Sequence, residues 1–441
     1  MRTQSLFKLA WPIFIEQALI IMVGVVNVYI LSRYDSSAAA AVEGCTQVLW
    51  NVFLVFAVIS LGTSVLVAQN VGAGNRERID KTAAVSLLLS LGLGLSASVG
   101  LTFFGEELLL FLGLSEGLLA HAKTYLLLVG GFVFLDALLF SSDAILKGFG
   151  RTRQCLAVTA TMNVLNLCGS AVLGLGLLGF PALGVWGVAL AAVGSKAVAV
   201  ALVQGYLFTR LLKPAIFRHL LSFPFLELRQ VLKIGFPAAM ESMSYTLSQT
   251  VLMALILTYL GSEAYVARTY AWSVIKMAFL FSLAIGQANV IMIGQLVGAG
   301  RFDEAAHVGM RNFRIAFAAA WVLGLGLFMG RTELMRIFTV EEAVISLGAL
   351  VFMIDAFLEP GRTFNIVLIS GLRGAGDVQF PVVMAVLSMW SVNIGLGYYL
   401  GVVLGYGLPG IWAAMLVDEW IRGLAMLWRW RSGAWRSKAL V

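Results

Sequence analysis

Residues 71–80 read VGAGNRERID, and residues 297–305 read VGAGRFDEA. The two stretches stand 226 residues apart, and each closes a long apolar run with a glycine turn followed by charged residues. Glycine accepts positive φ, so it lets a helix end and turn tightly at a membrane surface. The same offset recurs elsewhere in the chain. Leu146-Lys147-Gly148-Phe149-Gly150 returns as Leu372-Arg373-Gly374-Ala375-Gly376, Gly184-Val185-Trp186 as Gly410-Ile411-Trp412, and Lys196 as Arg422. One residue short of that offset, Leu9-Ala10-Trp11-Pro12 with Glu16 returns as Ile234-Gly235-Phe236-Pro237 with Glu241. Matches in one order at one spacing mark a duplicated chain.

Composition says where that chain lives. Of 441 residues, 60% are apolar and 12% charged, against about 25% charged in a soluble domain. Twelve apolar runs, the first at 6–31 and the last at 408–430, are each long enough to span a bilayer, which takes about 20 residues. Continuous rather than alternating runs exclude a porin-like barrel. Cys45, Cys155 and Cys168 have neither a disulfide framework nor metal-ligand spacing. The VGAG turns lack the Gly-Lys-Ser/Thr of a nucleotide loop. The net charge of +7 reflects cytoplasmic loops rather than nucleic-acid binding. With the N-terminus inside, nineteen lysines and arginines fall on the inner side and five (Arg33, Lys123, Arg268, Arg331, Arg336) on the outer. Both termini are therefore expected in the cytoplasm of a multi-pass inner-membrane protein. The expected fold is all-α, with twelve transmembrane helices in two six-helix bundles. An even number of spans per half makes the repeat parallel, with a pseudo-two-fold axis along the membrane normal. The boundaries are 1–209 for the first bundle, 210–229 for a cytoplasmic linker and 230–441 for the second bundle with a short tail. Such duplications are the architecture of carriers that rock around a central site.

Charges inside a span are expensive, so each needs a partner or a task. Glu16 and Glu241 are repeat-related. Eleven residues make three helical turns, which puts Glu16 and Asn27 on one face of span 1. Glu241, Tyr245 and Ser248 form a stripe on span 7. The carboxylates read either as protonatable groups beside a substrate path or as groups stabilised near a helix N-terminus. Thr159, Asn163, Asn166 and Ser170 form one polar face of span 5, lining a cavity or bonding a neighbouring helix. Asp355, Glu359 and Arg362 form a cluster on span 10 beside Pro360, either self-satisfying or a cation site at a flexible helix. On span 4, Asp143 and Lys147 pair locally, whereas Asp136 has no local partner and is the better coupling candidate. Glu43 and Arg268 are repeat-equivalent near the outer ends of spans 2 and 8. They read as interfacial charges or as a gate pair. Asp418, Glu419 and Arg422 read as a local structural cluster.

The Leu9-Ala10-Trp11-Pro12 opening, VGAGNRERID with VGAGRFDEA, residues 371–377 and the twelve-span duplication together resemble the MATE family of multidrug and toxin extrusion transporters over the whole chain. The resemblance implies a carrier with a cleft bordered by spans 1 and 7. An aspartate that many MATE proteins hold in span 1 falls on Asn27. A span-5 Asn/Asp pair falls on Asn166 and Ser170, a span-7 glutamate near Tyr245 and a span-10 aspartate near Arg362.

The expected function is secondary active export of amphiphilic, often cationic, organic compounds. Antiport with H⁺ or Na⁺ drives it, with alternating access between the bundles. Glu16, Glu241, Asp355, Glu359 and Asp136 are the candidates for cation coupling. Asn27, Asn163, Asn166, Ser170, Tyr245 and Arg362 are the candidates for the substrate cavity. No catalytic residue, cofactor or metal site is expected, and the partners are small organic molecules and the bilayer, around a monomer. The alternative is a lipid-linked saccharide flippase of the related superfamily. A membrane enzyme would need a histidine or an Asp-rich metal cluster at the bilayer surface, and the sequence offers none.

Overall fold

The computed structural model describes residues 5–111, 113–213, 216, 219 and 224–441. Arg2, Arg218 and the middle of the expected 210–229 linker lie outside the described residues. The described chain is helical, with no strand. Its helices are α1 (Leu6–Tyr34), α2 (Ser36–Ala73), α3 (Arg76–Phe111), α4 (Glu116–Tyr125), α5 (Phe134–Gly148), α6 (Thr152–Gly169) and α7 (Val185–Tyr206). They continue with α8 (Phe225–Leu255), α9 (Gly261–Gly298), α10 (Phe302–Arg336), α11 (Glu342–Gly374), α12 (Gln379–Ser388) and α13 (Gly407–Arg431). α4 and α5 belong to one span bent by 47°. α8 runs through a wide π turn, Ile256–Leu260, into α9, and the break falls at Gly261 with φ 83°. π turns at Met389–Leu396 and Tyr399–Val403 extend α12 to the length of a span. α13 completes the set of twelve crossings, although its three buried charges lower its hydropathy.

Backbone torsions carry the repeat. Gly74 and Gly300 have φ of 70° and 71°, and Gly150 and Gly376 have 72° and 93°. These four glycines stand at repeat-equivalent places just past helix ends, where an L side chain would be strained. Gly74 sends its N–H back to the Asn70 and Val71 carbonyls and so closes α2.

The chain divides into two compact units. The first holds Trp11–Phe236, and the second holds the chain up to Ala10 with Pro237–Val441. In the first, α2 packs on α3 and α5, and α6 packs on α7. In the second, α11 is central and packs along α9, α10 and α13, over a core that includes the fully buried Trp412 and Phe352.

Lipid gives helices no hydrophobic reason to associate, so close packing of small residues and hydrogen bonds must do it. In the first unit, a Cβ on Gly235 of α8 would overlap the Val58 carbonyl of α2. A Cβ on Gly62 of α2 would in turn meet the Val231 carbonyl of α8. The two backbones touch because both positions are glycine. Gly235→Val is therefore expected to cost about 1–3 kcal/mol, seen as a lowered melting temperature in detergent. Gly92→Ala, where a Cβ has nothing within 4 Å, is the control and should melt as the unaltered chain does. Equal behaviour of the two variants would refute this packing.

Candidate functional site

In the first unit, Glu16 sits one helical turn past Pro12 on α1 and is only 4% exposed. Lys147, at the last turn of α5, reaches it with Nζ 3.1 Å from Oε1 and holds Asp143 at 2.7 Å. In the second unit, Arg373 donates from Nη2 to Glu241 Oε2 at 2.6 Å. Glu16 and Glu241 are repeat partners, and so are Lys147 and Arg373. One ion pair has therefore been kept in duplicate, tying α1 to α5 and α8 to α11. The expected Asp143–Lys147 pair is present, but Lys147 also serves Glu16. The sequence signal for this was the Leu146-Lys147-Gly148 and Leu372-Arg373-Gly374 match, read for its glycines rather than for its bases.

Asn27 donates from Nδ2 to Asn166 Oδ1 at 2.9 Å, linking α1 to α6. Asn163, Asn166 and Ser170 share a buried face of α6, and Asn163 Nδ2 and Ser170 Oγ have no hydrogen-bond partner among the described residues. Just past Asn166 the helix widens into a π turn at Ser170–Gly174. Glu16 and Asn27 share one face of α1 yet reach different helices. Asp136 is not alone, contrary to the sequence reading: Lys196 Nζ of α7 lies 2.7 Å from its Oδ2. A partner sixty positions away is invisible to a search along one helix.

The second unit has a larger cluster. Arg362 pairs with Glu359 and, at 3.6 Å, with Asp355. Arg422 pairs with Asp418 at 2.7 Å and with Glu419 at 2.8 Å. Asn365 donates to Glu419 at 3.0 Å and joins the two groups across α11 and α13. Trp412 donates to Asp355 at 3.3 Å, and the Ser388 hydroxyl donates to Asp418. All six charged side chains are buried. Asp355 Oδ2 and Glu359 Oε1 have no hydrogen-bond partner among the described residues. On α8, Tyr245 lies within electrostatic reach of Arg362, Glu419 and Arg422, and Glu241 within reach of Arg422. Tyr245 and Glu241 therefore lie near the cluster, while Ser248 of the same stripe donates to the Tyr245 carbonyl. Arg268 donates to Gln249 at 2.9 Å, and Glu43 is exposed.

Pro360 has no N–H for the Ala356 carbonyl. α11 nevertheless runs unbroken from Glu342 to Gly374. Two neighbours cover the exposed backbone. Trp420 of α13 donates its indole N–H to the Phe357 carbonyl at 3.0 Å. Gly324 of α10 has no Cβ and so closes on the Ala356 carbonyl, where a Cβ would stand 2.5 Å away.

The repeat makes the charges comparable. Asp136 and Lys196 map onto Arg362 and Arg422. A single acid–base pair in the first unit thus corresponds to two guanidiniums in the second, where four carboxylates surround them. That cluster therefore holds two carboxylates more than guanidiniums; elsewhere in the unit Arg268 is buried as well, and the buried Asp377 pairs with Arg429.

A helical bundle with buried charge clusters between its spans is the architecture of a membrane transporter, and the family comparison names which kind. The MatE family model matches residues 12–172 and 237–399; the chain belongs to the MatE family of transporters and is not an enzyme. Over 440 residues it is 36% identical to the Bacillus subtilis protein named uncharacterized transporter YisQ, covering 100% of this chain and 96% of that one. Over 446 residues it is 28% identical to a Thermotoga maritima protein named probable multidrug resistance protein NorM, covering 99% and 94%. Among solved structures, one described as MATE in the bent conformation is similar with a TM-score of 0.88 at 19% identity, covering 98% and 96%. A Pyrococcus furiosus transporter of the MOP superfamily is similar with a TM-score of 0.86 at 18% identity, covering 98% and 96%. These structures share the twelve-helix, two-bundle fold.

Breaking a fully buried pair by removing one partner leaves an uncompensated charge, at about 3–5 kcal/mol, and the half-buried Glu241–Arg373 pair should cost less. Lys147→Met and Arg373→Met should each lower the melting temperature accordingly. Reversing a pair, Glu241→Arg with Arg373→Glu, should recover most of what Arg373→Met loses. A reversed pair no more stable than the single variant would show that the contact contributes nothing.

Proposed function

We propose that this transporter exports amphiphilic, often cationic, organic compounds across the inner membrane. Inward flow of H⁺ or Na⁺ drives the export, with alternating access between the two bundles and both termini in the cytoplasm. The observation that carries the reading is the charge balance of the cluster on α11 and α13: four buried carboxylates against two guanidiniums. Desolvated charge of one sign is costly, so such a cluster favours taking up a proton, a small cation or a cationic substrate. These compete for the same negative charge, and competition of this kind couples two ligands. A protein that releases the ion when substrate binds, and takes it up again on the other side, is an antiporter. Asp355 and Glu359, with unpartnered oxygens, are the coupling groups. Arg362 holds them apart, and Tyr245 and the α8 stripe supply a wall for an aromatic cation. In the first unit, Asn27, Asn163, Asn166 and Ser170 supply neutral hydrogen bonds for a substrate, Asp136 is paired with Lys196, and Glu16, whose Oε2 also has no partner among the described residues, shares Lys147 with Asp143.

The NorM name of the Thermotoga maritima relative, and of others like it, supports multidrug compounds as the substrate class. An excess of buried carboxylates is the wrong sign for a lipid pyrophosphate, which weighs against saccharide flipping.

The test is transport of a lipophilic cation, tetraphenylphosphonium, in proteoliposomes with an imposed pH or Na⁺ gradient. One of the two gradients should drive it. Asp355→Asn and Glu359→Gln should each lower the driven rate about tenfold, which is about 1.4 kcal/mol, with the undriven exchange less affected. Transport insensitive to both gradients would refute antiport. Driven transport unchanged in both variants would refute the assignment to the second unit.

A further inference from the structure

We propose that the inner end of the second unit carries a binding site for the phosphate headgroup of an anionic phospholipid. A cavity of about 460 Å³ opens there between the start of α10, the end of α13 and a short 3-10 turn, Ala434–Lys438. Arg311, Arg314, Arg431 and Arg436 line it, and no acidic side chain does. Its floor is a stacked pair of buried tryptophans, Trp430 and Trp435, with ring centroids 4.7 Å apart and planes at 13°.

The site is built rather than incidental. Trp435 donates its indole N–H to the Trp430 carbonyl at 2.9 Å, and Trp430 donates to the Ala306 carbonyl at 3.4 Å. Gly309 has no Cβ, and one there would overlap the Trp430 ring. This packing fixes the 3-10 turn and with it Arg436, whose guanidinium lies 5.7 Å from the Trp435 centroid and is held by Asp303 at 2.7 Å. Arg311 and Arg314 are three residues apart and so share one face of α10. Arg311, Arg314 and Arg431 are exposed and have no ion-pair partner among the described residues. Three uncommitted guanidiniums thus surround a rigid aromatic floor.

Depth selects a lipid over a soluble anion. α10 has 35 residues, about 52 Å at 1.5 Å per residue, against about 30 Å of hydrocarbon. Its segment 315–330 carries no charge, and Arg331 begins the charged far end. Arg314 and Arg331 are therefore about 25 Å apart along the axis. That places Arg311 and Arg314 at headgroup level on the side where Arg301, Arg373 and Arg429 also gather. Trp428, 64% exposed, sits two residues from the floor in the manner of an interfacial aromatic. Basic pockets between helices at this level suit lipid phosphates, and guanidinium forks match phosphate oxygens. A free phosphate has the same chemistry without the acyl chains, so the test must separate the two.

The experiment is native mass spectrometry and thermal melting of the full-length protein in non-ionic detergent. The probes are phosphatidylglycerol, phosphatidylcholine or inorganic phosphate. Phosphatidylglycerol should stay bound and raise the melting temperature, while phosphatidylcholine and millimolar phosphate should do neither. Arg311→Gln with Arg314→Gln should weaken phosphatidylglycerol binding about tenfold, and the double change to Lys should keep most of it. Arg151→Gln with Arg153→Gln, the same charge loss in the first unit, should leave it unchanged. Equal loss in that control, equal binding of phosphatidylcholine, or equal stabilisation by inorganic phosphate would each overturn the proposal. If the Gln variant does not fold, the comparison of the three probes on the unaltered chain still decides it.

Discussion

A charge placed in hydrocarbon must be answered by another charge or by hydrogen bonds. The arrangement of helices in each unit follows from how this chain answers its own. Glu16 needs Lys147, and α1 is tied to α5. Glu241 needs Arg373, and α8 is tied to α11. Asp136 needs Lys196, and α5 is tied to α7. Where helices gain nothing from hiding apolar surface, these pairs and the glycine contacts supply the specificity that a water-driven core would supply elsewhere.

Duplication gives an internal control. The Glu16–Lys147 and Glu241–Arg373 pairs have been kept in both halves, as a shared structural device would be. Asp136 and Arg362 occupy equivalent positions with opposite charge, and their surroundings have diverged to match. In the first unit Lys147 serves both Glu16 and Asp143, and Lys196 serves Asp136. The second keeps an acidic excess beside α8 and against a helix whose Pro360 backbone is capped by Trp420 and Gly324.

Much of the fold was legible in the sequence because its signals are local or periodic. Apolar runs give spans, and the VGAG turns give helix ends whose glycines have the positive φ expected of them. The 226-residue offset gives two halves. The site was only partly legible. The i, i+4, i+7 spacing of Asp355, Glu359 and Arg362 lies on one helix and could be read directly. Lys196 for Asp136, Asn365 for Glu419 and Trp412 for Asp355 come from other helices, and no spacing along one span reveals them. The Asp418, Glu419 and Arg422 group looked like a local matter. It is half of the second unit's buried cluster, because Asn365 joins it to α11. Lys147 and Arg373 could have been found, since the repeat aligns them as it aligns their glutamates.

Substrate and coupling ion are proposed to compete for the acidic excess of the cluster on α11 and α13. Proton release on substrate binding tests this competition most directly: tetraphenylphosphonium is added to the purified protein in weakly buffered detergent, with a pH indicator and with Na⁺ present or absent. Protons should be released on binding in Na⁺-free solution, or bound Na⁺ displaced where that is the ion, and either response should be lost in Asp355→Asn with Glu359→Gln. Substrate binding of unchanged affinity, with neither proton release nor any effect of Na⁺, would contradict such competition.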